Sequence, residues 1–333
     1  MRAEKRTSLR EIARICNLSP TTVSRIAKGI GSFSEETRRL VLDTMAREGY
    51  AIESSAVTQQ KPIVGCLVAD FSNELFADRL QEMETYFREK NMVFIARETR
   101  RDAELEAETA QQFYRMGAVG LIVTPATREL TCGPLPIPVV YTDRHAEDSD
   151  DPLAASVASD DFVGGQLAAQ ELLHKGCTKP LILNIRHVAY WNNSRIQGFL
   201  HDFEEQGIKI DTDRILQSDV NKSSFDSAKD LIAYHWTKGT EFDSVFACSD
   251  WRAYGALVAL RNMGVKVPED VKIVGYDGIR VSRYCDVPIT TIQQNTQMLS
   301  QTVCDTLWNL MQNGHAEHRH ILIPIRLQEG KTT

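Results

Sequence analysis

The residues best suited to chemistry in this 333-residue sequence form a short run, Pro20-Thr21-Thr22-Val23-Ser24-Arg25. The guanidinium of Arg25 is a planar fork of N–H donors that matches the O6 and N7 acceptors of guanine in the major groove. Thr21 offers a hydroxyl and a methyl group, and Pro20 offers apolar contact alone. On an exposed helix, this run could read the edges of DNA bases.

The run is expected to begin a helix. Ser19 is a strong N-cap residue, and Pro20 is tolerated at the first helical position because its missing amide would have no partner there. The helix should continue to about Lys28, before two glycines break it. Helical spacing turns Val23 and Ile26 toward a core and leaves the other side chains of the run on the remaining faces.

Two further helices are predicted around it. Ser8-Leu9-Arg10-Glu11 fits a capping box, which starts a helix at Leu9. Ser34 caps a third helix, and the expected inner stripe of that helix is Leu40, Val41, Thr44 and Met45. Two short helices joined by a tight turn, with a third packed across them, describe a helix-turn-helix unit whose second helix lies in the major groove.

The distribution of charge supports this interpretation. The whole chain carries a net charge of −7, which by itself argues against a nucleic-acid partner. Residues 1–50, however, hold ten Lys or Arg and six Asp or Glu, a net of +4, so residues 51–333 hold 28 against 39, a net of −11. A small basic segment therefore precedes a large acidic body, and DNA contact is expected in the first segment only.

Several classes of protein are excluded. No apolar run approaches the roughly 18 residues that cross a bilayer, and the N-terminus has no secretory signal, so we expect a cytoplasmic protein with no membrane partner. Seven scattered cysteines without a CxxC suit reduced thiols. No nucleotide-binding glycine motif or catalytic triad is evident, and His315, His318 and His320 are more simply solvated than metal-bound. We therefore predict no enzyme activity, no cofactor and no metal.

From Ile63 onward, apolar segments of strand length alternate with amphipathic helical segments, which is typical of parallel sheets covered on both faces. The alternation occurs twice and predicts two doubly wound lobes. Open α/β sheets bind ligands beyond the carboxyl ends of their strands. Polar residues at the predicted strand ends should therefore line one cleft: they lie at 70–73, 143–144, 187–193, 249–250 and 277.

Both parts of the chain resemble the lac repressor (LacI/GalR) family of transcriptional regulators. The segment from Ser8 to Tyr50, with its S-P-T-T-V-S-R run, looks like the family's DNA-binding headpiece. VADFSNELFADRLQEME, NSRIQGF, FACSDWRAYG, VGYDG and TTIQQN resemble motifs of its effector-binding core, so the resemblance extends from Ser8 to about Gly330. It implies an N-terminal all-α helix-turn-helix headpiece followed by an α/β core like a periplasmic binding protein, with two doubly wound lobes.

The resemblance also implies roles for individual residues. Pro20, Thr21 and Arg25 would read bases. Contacts to DNA phosphates would come from Thr22, Ser24, Lys28, Ser34 and Arg38, which position the protein without specifying sequence. The effector would be bound by Asn73, Phe76, Asp143, Arg144, Tyr190, Trp191, Arg195, Ser249, Asp250 and Asp277. Tyr190, Trp191 and Trp251 are the candidates to supply the stacking that many relatives obtain from an aromatic residue at the position of Val220.

The linker at 51–61 departs from the family pattern. Relatives carry a hinge helix there that wedges a leucine into the minor groove and kinks the DNA. Here only Ala56 matches that pattern, and Val57 stands where it has Arg. We expect Val57 or Ile52 to act as a weaker wedge, or the kink to be lost, and in either case less bending of the operator.

These observations predict a headpiece at 1–50, a linker at 51–61 and a core at 62–333, with lobe 1 at about 62–159 and 291–319 and lobe 2 at about 160–290 and 320–333. The predicted function is a homodimeric repressor of a carbohydrate-utilisation operon that binds a pseudo-palindromic operator under control of a sugar or sugar acid. The alternative is a cytoplasmic small-molecule sensor with weakened DNA binding. The effector, its direction of action and the operator sequence do not follow from the residues.

Overall fold

The computed structural model describes residues 8–27, 33–48, 50, 61–124, 130–143, 151–184, 193–219 and 221–333. It divides into two compact units, Met1–Pro62 and Ile63–Thr333. In the described ranges, no helix is long and apolar enough to cross a bilayer. Nor do these ranges contain a group of three His, Cys, Asp or Glu side chains placed to hold a metal ion.

The first unit contains three helices, α1 (Leu9–Ile15), α2 (Pro20–Ala27) and α3 (Glu35–Arg47). Their starts confirm the predicted helix boundaries. A small apolar core holds them together, with Ile12, Val23 and Met45 among its fully buried side chains.

Two details of this unit differ from prediction. Ser8 has the extended backbone of an N-cap, but its side chain makes no capping hydrogen bond, so the predicted capping box does not form. The start of α1 is instead stabilised by the carbonyl of Ser8, which accepts from Glu11 and Ile12. Leu40 is 50% exposed, so its predicted place in the inner stripe is wrong. The helical rotation of about 100° per residue turns it away while Val41, one residue later, points inward.

Lobe 1 of the second unit is built on a six-stranded parallel sheet with the order β11-β5-β4-β3-β1-β2. Its strands are β1 (Ile63–Val68), β2 (Val93–Glu98), β3 (Ala118–Val123), β4 (Val139–Thr142), β5 (Ala154–Ser159) and β11 (His320–Ile323). Its helices are α4 (Glu74–Glu89), α5 (Ala103–Arg115) and α11 (Thr296–Asn313). The sheet is covered on both faces, and apolar clusters lie on each side of β1.

Lobe 2 has a second six-stranded sheet with the order β12-β10-β9-β8-β6-β7, in which β12 alone is antiparallel. Its strands are β6 (Pro180–Asn184), β7 (Ile215–Gln217), β8 (Ser244–Ala247), β9 (Lys272–Asp277), β10 (Thr290–Gln293) and β12 (Arg326–Gln328). Its helices are α6 (Asp161–His174), α7 (Ser194–Glu205), α8 (Ser224–Thr237), α9 (Asp250–Asn262) and α10 (Arg280–Tyr284). The two doubly wound lobes predicted from the alternating pattern are confirmed.

The chain crosses between the two sheets three times, after β5, β10 and β11. The last two crossovers come a few residues later than predicted. Residues 290–293 pair with β9 and so belong to lobe 2, and residues 320–323 pair with β5 and so belong to lobe 1. These boundaries depend on hydrogen bonding between strands that are distant in sequence. Local residue patterns do not reveal which strands pair.

Glycines allow α6 and α7 to pack closely in lobe 2. A Cβ atom on Gly165 would lie 1.9 Å from the carbonyl oxygen of Arg195, and one on Gly198 would lie 1.9 Å from that of Phe162. Both distances are far below van der Waals contact. This packing sets where Arg195, near the start of α7, stands relative to Asp161 at the start of α6.

Candidate functional site

Helix α2 presents the residues predicted to read bases. Pro20, Thr21 and Arg25 are exposed, while Val23 and Ile26 on the opposite face are buried. The guanidinium carbon of Arg25 lies 5.8 Å from the ring centroid of Phe33. The helix therefore offers a guanidinium, a threonine and a proline to solvent on a folded support.

The residues predicted to contact phosphates lie on α2 and at the start of α3. The hydroxyl oxygens of Ser19 and Thr22 are 2.8 Å apart, and Ser34 caps α3 by accepting from the amide of Thr37 at 3.2 Å. Ser24 and Arg38 are half-buried. Lys28 and the hinge residues Ala56 and Val57 lie outside the described residues.

In lobe 2, Arg195 stands at the centre of a polar cluster. Its Nε donates to Asp161 Oδ2 at 3.1 Å, and its Nη1 donates to Asp277 Oδ1 at 3.2 Å and to the carbonyl of Cys248 at 2.8 Å. The guanidinium carbon also lies 3.8 Å from the ring centroid of Tyr276. The Arg195 side chain is 13% exposed, so this charge is largely buried and is held by groups just after β8, at the end of β9 and at the start of α6.

Burial governs the ionisation of this cluster. It would lower the pKa of Arg195, but Asp161 and Asp277 outweigh it and raise that pKa well above its ordinary value. Burial raises the pKa of the Asp277 carboxyl, and Arg195 and Gln294 offset part of that rise. Asp277 also has a φ of +109°, an uncommon conformation for a residue other than glycine. The arginine is therefore a fixed cation whose charge is already balanced by protein carboxylates.

Asp250 begins α9, three residues after the end of β8. It is fully buried, its Oδ1 accepts from the Thr291 hydroxyl at 2.5 Å, and its Oδ2 accepts from the amide of Ile279 at 2.8 Å. Burial raises the pKa of this carboxyl well above its ordinary value. The neighbouring Ser249 is partly exposed and accepts from Arg252 Nη1 at 2.8 Å. Asp250 thus holds the loop after β9 in place, and its contact with an effector stays a prediction.

Lobe 1 contributes a second arginine cluster. Both carboxylate oxygens of Asp143 accept from Arg79 Nη1 at 2.6 Å, and the Asp143 backbone has a φ of +65°. Asn73 caps α4 by accepting from Leu75, and Phe76 packs in the lobe 1 core with 6% exposure. Arg144, Tyr190 and Trp191 lie outside the described residues, so their predicted contacts stay predictions.

Gln294, at the crossover after β10, joins the two arginine clusters. Its Oε1 accepts from Arg79 Nη2 at 2.8 Å, and its Nε2 donates to Asp277 Oδ1 at 2.7 Å. Ser159, at the first crossover, donates to the same Oε1 at 2.8 Å. A continuous hydrogen-bonded chain therefore runs from Asp143 in lobe 1 to Asp277 in lobe 2.

Sequence reasoning missed three residues of these clusters, Arg79, Asp161 and Gln294. A signal for Arg79 exists, because it interrupts the apolar stripe of α4 between Phe76 and Met83 and is itself 2% exposed. A charged residue in an inner stripe must find a partner in the fold. Asp161 and Gln294 carry no comparable local signal.

A separate polar groove lies between α6 and α7, on lobe 2. Asp202 accepts there from Gln166 Nε2 at 2.7 Å and from Gln170 Nε2 at 2.6 Å, and His201 Nδ1 lies 3.1 Å away. Burial would raise the pKa of Asp202, but these hydrogen bonds outweigh it and lower that pKa. The cluster ties two helices together.

Known proteins are similar to this chain over both of its units. Residues 169–333 match the model of a periplasmic binding protein-like domain. The ribose operon repressor of Haemophilus influenzae is 26% identical over 328 residues, which cover 95% of each chain. The lac repressor dimer bound to operator and the anti-inducer ONPF shares the fold, with a TM-score of 0.72, 21% identity and 99% of each chain covered. A LacI family regulator from Enterococcus faecium with bound ribose has a TM-score of 0.68 and 26% identity, over 81% of this chain and 98% of that one.

Proposed function

Because this chain belongs to the lac repressor family of transcriptional regulators, we propose that it is a dimeric, sequence-specific repressor of a carbohydrate-utilisation operon, controlled by a small-molecule effector. The observation that carries this proposal is helix α2, whose Arg25, Thr21 and Pro20 are exposed while its opposite face is buried. A regulator of this kind acts on DNA in the cytoplasm and needs no catalysis. The acids of the cleft engage in ion pairs and hydrogen bonds, which suits binding better than proton transfer.

For DNA recognition we assign base contacts to Pro20, Thr21 and Arg25. The Arg25 fork suits guanine, a contact worth about 1–3 kcal/mol of discrimination. Phosphate contacts are assigned to Thr22, Ser24, Lys28, Ser34 and Arg38. Two copies of α2 in a two-fold dimer would read half-sites about one helical turn apart, or a multiple of that spacing.

For the effector we assign Arg195, Asp277, Ser249 and Asp250 in lobe 2. From lobe 1 and the remaining loops the assigned residues are Asn73, Phe76, Asp143, Arg144, Tyr190 and Trp191. Arg195 already faces two carboxylates, and Arg79 already faces one. A sugar acid would therefore meet no uncompensated cation among them, whereas a neutral sugar could donate hydroxyls to Asp277 and Asp143. These charges favour a neutral sugar.

Effector control requires that the ligand prefer one arrangement of the lobes. The assigned groups come from both lobes, so a sugar bound between the lobes would stabilise closure. We propose that closure shifts the dimer interface of lobe 1 and with it the spacing of the two headpieces.

The test of DNA binding is selection of high-affinity sites from random DNA by the full-length protein. We expect a pseudo-palindrome, affinity that falls with salt, and loss of preference at one base position of each half-site in Arg25→Ala. Arg47→Ala is the matched control, because Arg47 is an exposed arginine of the same unit near the end of α3. Failure to enrich any sequence would favour the sensor without specific DNA binding.

The effector is sought by thermal shift with a panel of neutral sugars and their sugar acids. A compound that binds the folded state raises the melting temperature. Stabilisation by sugar acids alone would contradict the assignment of a neutral ligand.

The linker carries a separate proposal, that operator DNA is bent less than by typical relatives. It is supported by the sequence at Ala56 and Val57. A circular-permutation assay should show weak central bending. A strong kink that Val57→Ala leaves unchanged would contradict it.

A further inference from the structure

Arg280 joins the two lobes at the rim of the cleft. It is the first residue of α10 in lobe 2, and its Nη2 lies 2.6 Å from Asp78 Oδ1 on α4 of lobe 1. Its backbone amide donates to Glu74 Oε1, also on α4, at 2.5 Å. Glu74 and Asp78 are one helical turn apart and so lie on the same face of α4. One residue of lobe 2 is thus held by two carboxylates of lobe 1.

These contacts differ in position from the hydrogen-bonded chain at the crossovers. Arg79, the next residue of α4, reaches Gln294 inside the molecule with a side chain that is 3% exposed. The side chains of Arg280 and Asp78 are 62% and 43% exposed. Helix α4 therefore contacts lobe 2 both beside a crossover and at the surface.

We propose that Glu74, Asp78 and Arg280 form a rim bridge that holds the lobes closed before any effector binds. The bridge is electrostatic, and none of its three residues belongs to the ligand-binding set assigned above. An effector that binds the closed lobes gains apparent affinity in proportion to the fraction of molecules already closed. The rim bridge would therefore set the sensitivity of the regulator independently of the groups that recognise its ligand.

The expected effect of breaking the rim bridge follows from the solvent exposure of the Arg280 and Asp78 side chains. A solvent-exposed ion pair contributes little, and salt screens it. Breaking the pair between Arg280 and Asp78 should therefore raise the population of opened molecules by about two- to fivefold. The structure also supplies a direct reporter of opening, the Arg280 amide, because its hydrogen-bond acceptor lies in the other lobe.

The test is residue-resolved hydrogen exchange on the full-length protein without DNA or added ligand. In Asp78→Asn the Arg280 amide should exchange about two- to fivefold faster than in the wild type. High salt should accelerate exchange in the wild type and leave the variant almost unchanged. The amide of Ser282, which donates to Ile279 within lobe 2, should keep its rate in both proteins.

Arg283→Ala is the matched control. Arg283 is an arginine of the same helix, but its Nε donates to Gln328 within lobe 2. This variant should leave the Arg280 amide unchanged. The proposal is overturned by an unchanged Arg280 amide in Asp78→Asn, by equal acceleration in Arg283→Ala, or by parallel acceleration at Ser282, which would indicate local unfolding. Because neither operator nor effector is used, the result is independent of the proposed function.

Discussion

Replacing Arg195 with alanine should destabilise lobe 2 in a way that depends on pH. The substitution removes the cation that pairs with both Asp161 and Asp277, and Asp277 is 6% exposed. Removing one partner of a buried ion pair typically costs about 3–5 kcal/mol, because the remaining charge stays buried. Since Asp161 is 23% exposed and partly solvated, we expect a loss of about 3 kcal/mol in the free energy of unfolding at pH 7.

The sign of the pH dependence follows from Asp277. Its pKa is already raised by burial, and loss of Arg195 removes the main group that lowers it. A carboxyl whose folded-state pKa is raised penalises folding once it ionises, so the penalty is greatest at neutral pH and declines as the group takes up a proton. The difference between wild type and variant should therefore shrink as the pH falls from 7 toward about 5.

The assay is urea unfolding followed by circular dichroism at a fixed protomer concentration between these pH values. The double variant Arg195→Ala with Asp277→Asn is the internal control. It removes the uncompensated carboxylate and should recover about 1 kcal/mol or more at pH 7. A penalty that is constant with pH and is not relieved in the double variant would refute the reasoning and indicate that Arg195 stabilises the lobe by packing alone.

Three further predictions concern other parts of the molecule. Gly198→Ala should destabilise the protein by about 1–3 kcal/mol. The added Cβ would overlap the carbonyl oxygen of Phe162, so the backbone of α6 or α7 would have to move. Asp202→Asn should cost about 1 kcal/mol near pH 7. This cost should begin to decline as the pH falls below about 4 and should vanish once the pH passes the lowered pKa of Asp202, because the carboxyl contributes this stability only while it is ionised. Arg38→Ala should weaken binding to all DNA sequences alike and reduce the salt slope by about one, whereas Arg25→Ala should relax one base position.

Substitutions of exposed acids on α7 serve as controls for the first two variants. Glu204→Ala should leave stability unchanged where Gly198→Ala lowers it, and Glu205→Gln should not share the pH profile of Asp202→Asn. Equal effects within either pair would contradict the stated cause. For DNA, a change of base preference in Arg38→Ala would contradict its assignment to phosphate.

Substitution of Arg195 should affect both effector binding and the stability of lobe 2. Because Arg195 balances two carboxylates, loss of effector response in Arg195→Ala would combine a lost ligand contact with a destabilised lobe. Ser249 is a cleaner choice, since it is partly exposed and neutral. Ser249→Ala removes a hydroxyl from the cleft and leaves its charges unchanged.

Local patterns in the sequence predicted the helices and strands and the exposed face of α2. The starts of α1, α2 and α3 were predictable from cap residue types, proline and apolar spacing within a few residues, although the Ser8 side chain forms no cap. The exposed face of α2 follows from the same apolar spacing. The alternation of strands and helices likewise predicts the two lobes, because burial on both faces leaves a continuous apolar run in each strand. These features depend on interactions within a single element or between neighbours along the chain.

The tertiary structure decided which polar groups meet in the cleft. Arg79 and Gln294 are 215 positions apart, and Arg195 and Asp277 are 82 apart, yet each pair shares a hydrogen bond. Asp250, which the sequence suggested as a ligand contact, accepts hydrogen bonds from the amide of Ile279 and the hydroxyl of Thr291. Side-chain partners across such separations are set by how sheets and crossovers bring distant strand ends together. A buried charge requires a partner, but the sequence alone does not show which residue supplies that partner.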